Sequence, residues 1–132
     1  MAGTFRFELV SPERVLVAVD AEQVLVPGAE GDFTVLVGHA PFVSTLRPGV
    51  VEVTAPGAKA ERIFVKSGFA EVEPDRLTIL AQRAFDVKEL QGSVLAEELQ
   101  AAEAELSAAE DDAARFLAER AVDSLRALSS RA

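Results

Sequence analysis

A β sandwich of about ten short antiparallel strands, followed by an antiparallel two-helix hairpin, is the fold class this sequence predicts. Three observations point there. Up to Arg83 the chain is rich in Val and Phe and holds all six prolines and seven of the eight glycines, the composition of short strands joined by turns. After Phe85 only one glycine, Gly92, and no proline remain, while Ala, Glu and Leu take over, as helix propensity favours. Charge divides in the same place: residues 1–84 carry 8 basic and 11 acidic side chains, and residues 85–132 carry 5 and 11. Two modules follow, 1–85 and 86–132, with the boundary between Ala84 and Leu90.

Within the first module, apolar and polar residues alternate. Phe5, Phe7 and Leu9 are interleaved with Arg6 and Glu8; Ile63 and Val65 with Arg62, Phe64 and Lys66; Leu77, Ile79 and Ala81 with Arg76, Thr78 and Leu80. Period-two spacing sends one set inward and the other outward. Turn signals cut the runs at Ser11-Pro12, Pro27-Gly28, Gly38 to Pro41, Pro48-Gly49, Pro56-Gly57, Ser67-Gly68 and Pro74-Asp75, leaving no helical segment between strands. Parallel pairing needs long crossovers, so an antiparallel sandwich is expected.

In the second module Leu95, Leu99, Ala102 and Leu106 form one helical stripe, and Ala114, Leu117, Ala121, Leu125 and Leu128 another. Ser107-Ala-Ala-Glu110 matches a capping box, which would start the second helix there and put Glu110, Asp111 and Asp112 in its first turn. One uninterrupted helix is the competing reading, since no Gly or Pro enforces a break. Alanine-rich stripes bury little area, so the hairpin is expected to be marginal alone.

Composition excludes several functions. Without cysteine there is no disulfide and no thiolate metal site. A net charge of −9 opposes unaided binding to nucleic acid or anionic lipid, which depends on Lys and Arg contacts. The N-terminus shows no leader pattern and no run approaches the ~18–20 apolar residues that span a bilayer; the expectation is a soluble cytosolic protein with protein partners.

Residues 27–41, PGAEGDFTVLVGHAP, concentrate three glycines, two prolines and the only histidine. Gly28 and Gly31 have the spacing of a phosphate loop but no following Gly-Lys-Ser/Thr and no helix start, so turn glycines are the better reading. His39 has no second His or Cys to complete a metal site and no nucleophile to serve. Ser11, Ser44 and Ser67 sit in no nucleophile elbow. No catalytic, metal or cofactor set is assembled; the stretch reads as surface shaped for another protein.

In order, Val26-Pro-Gly-Ala-Glu-Gly-Asp-Phe33, Gly38-His-Ala-Pro41, Leu46-Arg-Pro-Gly49 and Ser67-Gly-Phe-Ala-Glu-Val72 resemble the epsilon subunit of bacterial rotary F-type ATP synthases, over Phe5 to about Val87. That resemblance implies a ten-stranded sandwich with two helices. It implies a non-catalytic central-stalk rotor subunit that helps couple proton flow to ATP synthesis and has no cofactor. The expected place is the cytoplasmic face of the bacterial inner membrane, reached only through the complex. It further implies a c-ring contact at Glu30, Gly31 and Asp32, and a gamma-subunit contact at Ser11, His39 and Ser44. Regulation of ATP hydrolysis through the alpha/beta catalytic head would draw on Arg115, Arg120, Arg126 and Arg131. The sequence departs from ATP-binding members: Ile-Asp-x-x-Arg-Ala is replaced by Phe85-Asp86-Val87-Lys88-Glu89-Leu90, and Glu89 reverses the charge of the phosphate-binding Arg. The alternative is a free-standing regulatory or ligand-binding sandwich whose hairpin senses a small molecule.

Overall fold

Alternating side chains make the strands, and two long ones tie the layers together. A computed structural model describes residues 3–130. Among the described residues eight strands are present, β1 Phe5–Val10, β2 Val15–Ala21, β3 Gln23–Gly28, β4 Gly31–Val35, β5 Phe42–Thr45, β6 Gly49–Thr54, β7 Glu61–Glu73 and β8 Arg76–Asp86. A 3-10 turn at Val87–Glu89 leads to α1 Gly92–Ala108 and α2 Asp112–Ser130. Hydrogen bonding runs β2-β1-β8-β7-β6-β3-β4, with β5 on β7. The first half of β7 pairs with β6 and its second half with β5, so the β7–β8 hairpin serves both layers. Counting each long strand once per layer recovers about ten segments.

Crossing between layers requires the inward face to be kept. In β7 the inner residues are Ile63 and Val65 before the crossing and Ala70 and Val72 after it; in β8 they are Leu77, Ile79 and Ala81, then Ala84. Parity changes in both strands, and the register of the pair shifts between Val65 and Gly68. This irregularity absorbs the one-residue slip that would otherwise turn the core set outward. Gly68 sits there with φ +144, where an added Cβ would lie 1.9 Å from the Leu80 carbonyl oxygen, so only glycine fits. Ser67-Gly68 is therefore a bulge inside a strand and not the turn its composition suggests.

One pairing departs from the antiparallel expectation. β1 and β8 are parallel, with Phe7 opposite Leu77 and Leu9 opposite Ile79. No crossover helix is needed because the whole meander from β2 to β7 connects them. Between the layers lies a core of Val, Ile, Leu and Phe, including Phe7, Leu9, Val24, Val51, Leu77 and Ile79.

The hairpin lies folded on the sandwich. Val50, Phe64 and Phe85 stand side by side across β6, β7 and β8 on the outer face of one layer, and there they join Leu90, Leu95, Ala102, Ala121, Val122, Leu125 and Leu128 in a second core. Phe64, an outward residue by periodicity, is fully buried because helices cover it. Three ion pairs cross the same seam: Arg14–Glu89 at 3.3 Å, Lys66–Glu105 at 2.5 Å and Arg83–Glu98 at 2.8 Å. In each, the base belongs to the sandwich and the acid to the helical segment.

Two expectations for the hairpin are corrected. α1 runs through Ser107, and α2 is capped instead by Asp111, whose Oδ1 accepts from the Ala114 backbone N–H at 2.7 Å; an ionised carboxylate caps a helix start and also meets its dipole. The second apolar stripe is rotated as well. Ala114 and Leu117 are exposed, while Ala118 and Val122 are buried with Ala121, Leu125 and Leu128, because α2 must touch both α1 and the Phe64 platform.

Candidate docking surfaces

The glycine-rich turn between β3 and β4 is held from the side. Gly28 closes onto Gly31 and the Phe33 ring so tightly that a Cβ at Gly28 would lie 2.7 Å from the Gly31 oxygen and 2.9 Å from the ring. From the segment leading into β6, Arg47 Nη1 donates to the Gly28 carbonyl at 2.6 Å and Nη2 to Asp32 Oδ1 at 2.5 Å. Backbone bonds from Ala29 N to Thr45 O (2.9 Å) and Arg47 N to Pro27 O (3.0 Å) complete the clamp. Glu30, Gly31 and Asp32 are all exposed at the tip. Arg47 is the residue sequence reasoning missed. Its signal lies in the Leu46-Arg-Pro-Gly49 run, but a pairing across fifteen residues has no periodic signature.

His39 belongs to the same assembly. Its ring meets Phe42 at 5.3 Å, tilted by 47°, and Phe42 meets Phe33 edge-on at 5.1 Å, while Phe33 covers Gly28. An aromatic run thus joins the His39 corner to the acidic turn. Nδ1 of His39 donates to the Ala40 carbonyl at 2.9 Å, a loop-shaping bond.

Ser11 and Ser44 approach a different feature. Ser11 Oγ donates to Arg14 O at 3.4 Å and shapes the turn into β2. It also borders a cleft of about 490 Å³ with Val10, Pro12, Phe69 and Leu80. Val10, Leu80, Phe69 and Thr45 lie side by side across β1, β8, β7 and β5, on the outer face of the layer the hairpin leaves bare. Phe69 and Leu80 are 41% and 40% exposed, and neighbouring Val43 is 65% exposed. Ser44, between Val43 and Thr45, is half-buried and donates to Thr45 O at 2.9 Å; its outward neighbours carry the apolar surface.

Glu89, which stands where the expected ATP-binding pattern would place an Arg, has a structural role. Asp86 Oδ1 accepts from Lys88 N at 2.9 Å while its own N–H donates to Glu89 Oε1 at 3.2 Å, a capping box that starts the 3-10 turn, and Glu89 also pairs with Arg14. Of the helical arginines, Arg120 pairs with Asp123 at 2.7 Å and Arg126 with Glu103 at 2.9 Å; Arg131 lies outside the described residues. Among the described residues no group of three or more acids or histidines converges on a metal position, and no helix is long and apolar enough to cross a membrane.

Fold and surface together define a β-sandwich protein with a docked helical hairpin, whose shaped features are exposed loops and one uncovered apolar face. Residues 4–87 match the family described as ATP synthase, Delta/Epsilon chain, beta-sandwich domain. The chain is 43% identical over 128 residues to the ATP synthase epsilon chain of Parvibaculum lavamentivorans, covering 97% of each. With that of Rhodospirillum rubrum it shares 47% over 121 residues, 92% of this chain and 90% of the relative. Among solved structures, a chain of the Euglena gracilis mitochondrial ATP synthase (OSCP/F1/c-ring in rotational state 1) superposes with TM-score 0.73 at 26% identity, covering 99% of this chain and 82% of that one. The protein belongs to the ATP synthase epsilon chain family.

Proposed function

We propose that this chain is the non-catalytic central-stalk rotor subunit of an F-type ATP synthase, docking on the gamma subunit and the c-ring and so helping to couple proton translocation to ATP synthesis. The observation that carries this reading is the uncovered row Val10–Leu80–Phe69 bordered by Ser11. A sheet face of this kind, beside a turn held rigid by Arg47, suits a partner that buries it. Ser11, Ser44 and His39 form the gamma side and Glu30, Gly31 and Asp32 the c-ring side. On this reading residues 1–85 dock and residues 86–132 regulate ATP hydrolysis, with Arg115 the described helical arginine that has no acidic partner. The complex would hold the chain peripherally at the cytoplasmic face of the inner membrane. Purified chain mixed with gamma subunit should co-elute in gel filtration, and Phe69→Glu should abolish the complex while leaving the circular dichroism unchanged. A wild-type chain that elutes alone would sink the proposal.

A further inference from the structure

We propose that residues 46–50 are a strap through which docking of the hairpin stiffens the β3–β4 turn, so that lifting α2 off the sandwich loosens that turn as well. The coupling lies within the chain and does not depend on what the turn docks on. By composition Leu46-Arg-Pro-Gly49 is an ordinary turn. In the fold each residue of it, and Val50 after it, is committed. Leu46 is buried in the core between the layers. Arg47 holds the turn through the Gly28 carbonyl and Asp32, and its own N–H donates to Pro27 O. Pro48 is buried and borders two clefts, each with α2 on its other wall: Leu117 and Ala121 line one of about 440 Å³, Arg120 and Ser124 the other of about 320 Å³. The helix therefore passes over Pro48. Gly49 meets Pro27 so closely that an added Cβ would lie 2.9 Å from the Pro27 Cβ, and Val50 packs against the second core beneath the hairpin.

Such a strap has little slack. Its proline has a fixed φ, and its glycine is already in contact. With α2 down, Pro48 and Val50 are pinned, and the Arg47 guanidinium, only 23% exposed, is delivered to its two oxygens from a fixed backbone. With α2 lifted, Pro48 and Val50 lose their cover, and the arginine must find the same oxygens from a looser chain, at a cost in ordering entropy. The hairpin is the element that can move, because its alanine-rich stripes make its stability depend on docking. Coupling of this kind is reciprocal: whatever holds the turn clamped also holds the hairpin down, by the same factor.

Backbone amide exchange on the full chain, followed residue by residue by NMR, tests this. Two amides report the clamp: Ala29 N–H, bonded to Thr45 O, and Arg47 N–H, bonded to Pro27 O. Leu125 is buried on α2 and borders neither cleft beside Pro48, so its truncation loosens the hairpin away from the strap. Leu125→Ala should speed exchange in α2 about 100-fold and at Ala29 and Arg47 about tenfold, while the β1–β2 amides change by less than about twofold. Arg47→Gln runs the coupling in the other direction. It should speed exchange at Ala29 about tenfold and, by reciprocity, at Arg120 to Ser124 of α2 by about the same factor. A hairpin that opens in Leu125→Ala while Ala29 and Arg47 keep their protection would overturn the coupling, and so would an Arg47→Gln chain whose α2 amides exchange as in the parent. If Leu125→Ala speeds the β1–β2 amides as much as those of α2, the whole fold has loosened, and the Arg47→Gln chain decides.

Discussion

Two apolar rows cross the outside of this sandwich, and they have opposite fates. Val50–Phe64–Phe85 lies on one layer and Val10–Leu80–Phe69 on the other, both built from β7 and β8 on either side of the bulge at Gly68. The first is sealed by the hairpin, with Phe64 fully buried; the second leaves Phe69 41% exposed. The sheet with a covered outer face has found its partner within the chain, and the bare outer face is the one the proposed function gives to a partner from outside. The contrast extends to the modules. The sandwich core is filled by Val, Ile, Leu and Phe from many strands, each worth about 1.5–3 kcal/mol on burial. The hairpin brings alanines and leucines, and its largest buried side chain, Phe64, comes from the sandwich. Its stability depends on docking.

The sharpest way to break the comparison is to truncate the matching phenylalanines. Phe64→Ala should cost about 3–5 kcal/mol, and amide exchange should localise the loss, with α1 and α2 exchanging roughly 100-fold faster or more while the β1–β2 amides change little. Phe69→Ala, by contrast, should cost about 1 kcal/mol, since much of that ring already faces water. Equal losses at the two sites would mean that the rows are not distinguished by the hairpin.

A smaller effect tests where the hairpin turns. Asp111→Ala should destabilise it by about 1 kcal/mol, the usual worth of a helix cap, and Ser107→Ala should stay within about 0.5 kcal/mol, the ordinary range of a surface change. Urea titration of both variants reads the difference directly, and the reverse order would restore the break at Ser107.

The smallest concerns the charges across the seam. Lys66→Gln should cost about 0.5–1 kcal/mol, because Lys66 is largely buried while its partner Glu105 is more than half exposed. The loss should shrink in 1 M NaCl. A cost unaffected by salt would assign the effect of Lys66 to packing of its stem instead.

Much of this was legible from the residues. Local propensity and period-two spacing carry the strand–helix division near residue 85, the inward sets Phe5, Phe7, Leu9 and Leu77, Ile79, Ala81, and the place of the shaped turn, because those signals are local to the chain. The ordered motifs from Val26 to Val72 also pointed to the family that residues 4–87 match. The c-ring and gamma positions rest on that resemblance, and periodicity had no part in them.

What tertiary structure alone decided is which element covers which face and which charges meet. Periodicity assigns Phe64 to the outside, and the bulge at Gly68 turns Phe69 outward as well; only the path of the chain after Phe85 lays helices over one and leaves the other bare. Composition reads Ser67-Gly68 as a turn, and the need to bend a hairpin between two layers makes it a bulge. Sequence spacing starts the second helix at Ser107, whereas in the folded chain α1 runs through Ser107 and Asp111 caps α2. Arg47 and Asp32 are distant in sequence and adjacent in space, and Glu89 is fixed by its cap and by Arg14. The physical reason is common to all of these: alternation and propensity act between near neighbours, whereas burial and ion pairing are settled only when distant segments come together.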